Sequence, residues 1–121
     1  MFTAGLVTSF KEQLLLGQHD LLVDTIKIAL YDSTAVLGPD TLIYTTSGEV
    51  TSGGYTAGGQ TLTTPLVGGG NGTGYASFDD PIWYATTFSV RGALLYNASK
   101  GDKAIGVFNF GLDQVTLNQD F

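Results

Sequence analysis

The 121-residue chain contains no cysteine, which excludes disulfides, thiolate catalysis and cysteine-based zinc sites. Stability must therefore come from packing, strand pairing or assembly. Basic residues are scarce: Lys11, Lys27, Arg91, Lys100 and Lys103 stand against eleven acids, for a net charge of −6. Such a surface repels a phosphate backbone, so no nucleic-acid partner is expected. Long apolar runs are missing as well. No stretch approaches the ~18 apolar residues of a membrane span, and the amino terminus lacks a basic segment ahead of an apolar one. Neither a membrane contact nor a signal peptide is expected. Charge of either sign is low, at 13% of residues against about 25% in ordinary soluble domains, while 43% are hydrophobic. Two readings fit this balance: a surface that faces other protein, or a large core with uncharged Thr, Ser, Asn and Gln outside. The length suits a single domain over residues 1–121 with one modest core.

What is present reads as short strands with one leading helix. Ser9 and Glu12 have capping-box spacing, Phe10 and Leu14 to Leu16 supply apolar positions, and Gly17 is placed to stop a helix spanning about residues 9–16. In DTIKIALYD, Ile26, Ile28 and Leu30 alternate with Lys27, Ala29 and Tyr31, which predicts a strand with one buried face. Gly38-Pro39-Asp40 signals a turn, and Leu42 to Tyr44 form a weak strand candidate. Gln60 to Val67 predicts an edge strand because Pro65 cannot donate to a ladder. A hairpin through GGGNG, tightest at Asn71-Gly72, leads into a strand over 73–78. TTFSVRGALLYN is expected to place Phe88, Val90, Leu94 and Tyr96 on one face. KAIGVFNFG is apolar on both faces, as in a central strand or one covered by a neighbour. NASKGDK reads as a surface turn, and LDQVTLNQDF as a final strand or an extended tail. These elements predict an all-β fold, an antiparallel β-sandwich of jelly-roll or immunoglobulin-like type with one short N-terminal helix; a closed barrel is the runner-up.

Candidate chemistry is thin. TSGGYTAGGQTLTT has glycine pairs but neither the Gly-Lys-Ser/Thr ending nor the following helix that a phosphate cradle needs, so its glycines read as turn or bulge positions. Asp79 and Asp80 lack calcium-loop spacing, and neighbours on an extended strand point apart, so no metal is assigned. His19, the lone histidine, has no Gly-x-Ser-x-Gly elbow to serve and is expected to bond locally after the helix. A glycosidase would need two carboxylates about 5–10 Å apart across a cleft; Asp79, Asp80 and Glu49 show no sign of that arrangement. The sequons at Asn71 and Asn97 read as turns. Trp83 and Tyr84 are expected to be anchors in a core or subunit contact, with a sugar platform as the lesser reading.

Taken in order, DTIKIALYD, EVTSGGYTAGGQTL, DDPIW and RGALLYN, within residues 10–111, resemble the motifs of a family of small structural proteins encoded by tailed bacteriophages. The resemblance implies a virion component made in the bacterial cytoplasm, a decoration or cement protein of the capsid exterior. Its implied partners are the major capsid protein and its own copies, as a homotrimer or other homo-oligomer. It implies no catalytic residue, no cofactor and no enzymatic role. A tail, neck or tail-fibre module contacting host glycan is the alternative. The side chains expected at assembly contacts are Tyr55, Trp83, Tyr84, Phe108 and Phe110.

Overall fold

The computed structural model describes residues 2–121. Its strands are β1 (Gly5–Leu6), β2 (Ile26–Tyr31), β3 (Gln60–Thr61), β4 (Leu66–Gly70), β5 (Thr73–Ser77), β6 (Ser89–Asn97) and β7 (Lys103–Val115). Five of them form one antiparallel sheet in the order β1-β7-β6-β2-β3, and β4 pairs with β5 in a separate hairpin. With one short helix, α1 (Thr8–Leu15), the fold is all-β, antiparallel and sandwich-like.

The sheet is apolar on both faces, which is why so few charges suffice. Ile26, Ala29, Tyr31, Leu94, Tyr96, Ala104, Ile105 and Val107 join Phe2, Val7 and Phe10 in one core. Leu30, Val90 and Ala93 join Val50, Tyr55, Trp83 and Phe88 in the other. β2 is thus buried on both faces, not one, because a core packs on each side of the sheet, with Ile26, Ala29 and Tyr31 in one and Leu30 in the other. The single-face expectation for β6 also fails, since Val90 enters one core while Leu94 and Tyr96 enter the other. The cause is irregular pairing with β7. Only Arg91 separates Val90 from Gly92, whereas Phe110 to Asp113 separate their partners Asn109 and Gln114. A further register shift between Leu95 and Tyr96 leaves Ile105 without an opposite residue.

The helix departs from its expected start. Val7 is the N-cap, no side chain caps the helix, and Ser9 lies inside it with a buried hydroxyl that has no hydrogen-bond partner. The capping box is therefore absent: the helix begins before Ser9 and takes the hydroxyl out of capping position. The stop is as expected. Gly17 has φ +72°, its N–H donates to the Leu14 carbonyl at 3.1 Å, and the Gln18 N–H donates to the Gln13 carbonyl at 2.9 Å, a Schellman closure. Phe10 alone among the helical residues is buried; Leu15 is 90% exposed.

The Gln60–Val67 strand is divided. Thr64 adopts φ +55° before Pro65, so the chain leaves the sheet edge after β3 and re-forms as β4. Asn71 and Gly72 have φ +53° and +78°, the paired positive values of a type I′ hairpin turn. Leu42 to Tyr44 contribute one bridge, Ile43 to Lys103. The carboxy-terminal tail folds back instead of extending: Trp83 and Phe121 exchange backbone bonds of 3.0 and 2.7 Å, and Thr86 and Gln119 do likewise at 2.7 and 3.1 Å.

Candidate assembly surfaces

The five aromatic residues expected at contacts separate into an interior pair and a surface set. Tyr55 is 6% exposed and belongs to the core. Its hydroxyl accepts from the Leu30 N–H at 3.1 Å and donates to the Glu49 carboxylate in a short bond. Glu49 is itself only 4% exposed. Its carboxylate also accepts from the Tyr44 hydroxyl at 2.5 Å and the Gly58 N–H at 2.9 Å. The Tyr96 hydroxyl then donates to the Gly58 carbonyl at 2.6 Å, and the Tyr44 and Tyr96 rings stack with centroids 4.7 Å apart.

Among the described residues no Lys or Arg is within ion-pair distance of Glu49, so neutral donors satisfy a buried carboxylate. Bonds to an ionised acceptor are stronger than neutral ones, which offsets part of the cost of removing the charge from water. The donors hold their protons well beyond neutral pH. Burial, reinforced by the bond to Glu49, raises the phenols of Tyr55 and Tyr44. Burial followed by the Glu49 charge raises Tyr31, and burial followed by the charges of Asp102 and Glu49 pushes Tyr96 up to about 12. This arrangement clamps the glycine-rich loop onto β2, and both oxygens of Glu49 are occupied in doing so.

Trp83 is 6% exposed, with its ring 6.2 Å from those of Tyr55 and Phe121. It anchors the returning tail of its own chain. The expectation that Tyr55 faces a neighbour is thereby corrected, and Trp83, expected as an anchor in a core or a subunit contact, takes the core; the burial of both is spent inside the chain. Tyr84, Phe108 and Phe110 are on the surface, 69%, 47% and 37% exposed. Phe108 and Phe110 belong to an apolar run along the outer part of β7 that continues through Leu112 and Val115 to Leu117.

A second apolar region was not foreseen. A groove of about 770 Å³ separates α1 and the segment after it from the β4–β5 hairpin, with Phe10, Leu14 and Leu21 on one side and Val67, Tyr75 and Ala76 on the other. The only sequence signal for it was the surplus of leucines around α1 beyond those one narrow face can bury.

His19 bonds locally to Gln13 as expected, but its second ring nitrogen reaches Asn97 at the end of β6, so it ties α1 to the sheet and does more than cap the turn. One ring nitrogen is 2.8 Å from the Gln13 side-chain oxygen and the other 2.9 Å from the Asn97 amide nitrogen. The Asn97 amide also donates to Asp24 at 2.8 Å, and Lys100 approaches Asp24 at 3.0 Å. Since Asn97 is held as a donor by Asp24, it fits the neutral ring of His19. Asp79 accepts from the Thr64 hydroxyl at 2.7 Å and shares with Asp80, Gln60 and Tyr84 a shallow cleft of about 220 Å³. Among the described residues no group of three or more His, Asp or Glu side chains is placed to hold a metal ion. No family model, no curated protein and no solved structure matches the chain.

Proposed function

We propose that the protein is a non-catalytic structural subunit of a tailed-bacteriophage virion, a decoration or cement protein that binds the assembled head. The observation that carries this reading is the amount of apolar surface left over after both cores are filled. Leu15, Val36 and Leu117 are 90%, 80% and 76% exposed, and the outer run of β7 adds Phe108, Leu112 and Val115. Where exposed apolar side chains adjoin, protein neighbours are their usual cover. The ordered motif set from DTIKIALYD to RGALLYN supports the choice of assembly. A cement protein acts by mass action: binding the intact shell and not the opened one stabilises the shell by RT ln(1 + [L]/Kd).

The test compares particles with and without the protein. Shells lacking it should form normally and release DNA at a lower temperature, and adding the purified chain back should restore the release temperature. Particles equally stable in both states would reject the reading. A second reading, a tail module that binds host glycan, is favoured by the exposed Tyr84 beside Asp79, Asp80 and Gln60. Sugars stack on such aromatic faces and hydrogen-bond to flanking polar groups. Immunogold labelling separates the two by position, on the head or on the tail.

A further inference from the structure

We infer that the outer edge of β5 is a self-association site, pairing antiparallel with β5 of a second copy so that two hairpins join into a four-stranded sheet. The inference rests on the reading of the protein as an assembly subunit and names the element through which copies meet. An isolated two-stranded hairpin is marginal in water, yet the strands β4 and β5 pair with no strand of the main sheet. Every residue of β5 is exposed. A two-residue turn closes on a pair that exchanges its own hydrogen bonds, here Gly70 with Thr73, so the backbone groups of Gly74 and Ala76 turn outward.

Soluble proteins guard such an edge with charge, proline or a bulge. β5 has none of these: Thr73 to Ser77 pair with β4 in unbroken register, while the neighbouring strand β4 has Pro65 at its entrance. The partner is argued from charge. Each chain has a net charge of −6, so two copies repel wherever their acids meet. Between Glu49 and Asp79, however, there is no charged residue, and the hairpin lies at the far end of that neutral stretch. An antiparallel edge is also self-complementary about a two-fold axis, since with Tyr75 at the axis Gly74 faces Ala76 of the other copy and the reverse. A five-residue edge alone buries less than the roughly 1,200 Å² of a standard interface, and the exposed Leu66, Val67 and Tyr75 supply further apolar area beside it. The pairing closes at two chains, so the trimer implied by the family resemblance would need another contact.

The experiment is sedimentation velocity on the purified chain over a range of concentrations, with circular dichroism to verify folding. A Cβ at Gly74 meets nothing within 4 Å and the residue is not at positive φ, so substitution there leaves the fold intact. The wild type should sediment as a concentration-dependent dimer. Gly74→Lys should remain folded and lose the dimer; Gly74→Thr should retain it. The double variant Gly74→Lys, Ala76→Glu sets opposite charges across the axis and should regain the dimer. A wild type that is monomeric at every concentration, or a Gly74→Lys variant that associates unchanged, would overturn the proposal. No capsid enters this measurement, so its failure is separable from failure of the shell-binding reading.

Discussion

Residues 51–59 and 67–75 both gather glycines around a single tyrosine, but Tyr55 is 6% exposed and Tyr75 is 53% exposed. In the first stretch all four glycines have positive φ, and two of them are also required by contact. A Cβ at Gly53 would fall 1.8 Å from the Thr87 carbonyl oxygen, and one at Gly59 would fall 1.8 Å from that of Ile28; both residues have positive φ. In the second, Gly70, Gly72 and Gly74 would meet nothing within 4 Å, and the closest approach, 2.6 Å at Gly68, is to the movable end of the Tyr75 side chain and not to backbone. Only the turn at Asn71-Gly72 asks for special backbone angles there. Similar composition thus serves two ends. The first loop lies against β2 and delivers Tyr55 and the Gly58 N–H to Glu49; the second stands clear and leaves a strand edge open.

The contrast is tested most severely at Gly59. Gly59→Val forces a side chain into the backbone of β2 at an unfavourable φ, and should cost about 4 kcal/mol or more, enough to abolish folding of a marginal domain. Denaturant melts check this, and a stable variant would break the comparison. Next is Glu49→Ala, which leaves the Tyr44 and Tyr55 hydroxyls and the Gly58 N–H without their acceptor. With unsatisfied buried groups at about 1–3 kcal/mol each and partial relaxation, a loss of about 3 kcal/mol is expected in the same melts. Glu49→Gln should lie between, because the Tyr44 hydroxyl can turn to accept from the new amide.

Acid sharpens the contrast more gently. Burial is the largest influence on Asp24 and would raise its pKa, but the bonds from Asn97, the Asp20 N–H and Lys100 outweigh it together and hold the group down to about 2. Burial also lowers the pKa of His19, opposed by the charge of Asp24 and assisted by Lys103 and Lys100. Both folded-state values lie below those of the unfolded chain. The stability each group contributes is therefore complete above its unfolded pKa, near 6.5 for His19 and 3.8 for Asp24, and is lost as pH falls, for Asp24 down to about 2. The loss from Asp24 should be on the order of 1 kcal/mol, since its partner Lys100 is well hydrated. Residues 60–78 contain no Asp, Glu or His, so on acidification NMR signals around Gln13, His19 and Asn97 should shift before those of the hairpin. The smallest effect belongs to Gly74→Thr, expected to change monomer stability by no more than about 0.5 kcal/mol.

Much of this fold was legible because local signals agreed with the final structure. The strand at Ile26–Tyr31, Gly17 at the helix stop and Asn71-Gly72 at the hairpin each rest on backbone physics that distant contacts did not override, whereas the single buried face read from the alternation of that strand did not survive its burial between two cores. Ser9 misled because capping depends on where the helix starts, and the chain set that start through Val7, whose N–H is bonded to Ile105 on β7. Val90 misled because the irregular pairing of β6 with β7 breaks the period of two in a way that no single strand reveals. Glu49 was hardest to read. Its buried position depends on Tyr44, Tyr55 and Gly58 converging around it, and an acid in a polar loop looks exposed until that convergence is known.

The most direct test is amide hydrogen exchange read residue by residue at low and high protein concentration. The Gly58 N–H, bound to Glu49, should be protected at every concentration, whereas the amides of Gly74 and Ala76 should exchange rapidly in dilute solution and become protected as the protein is concentrated. A Gly58 amide that exchanges as fast as that of Gly74 in dilute solution would contradict the account.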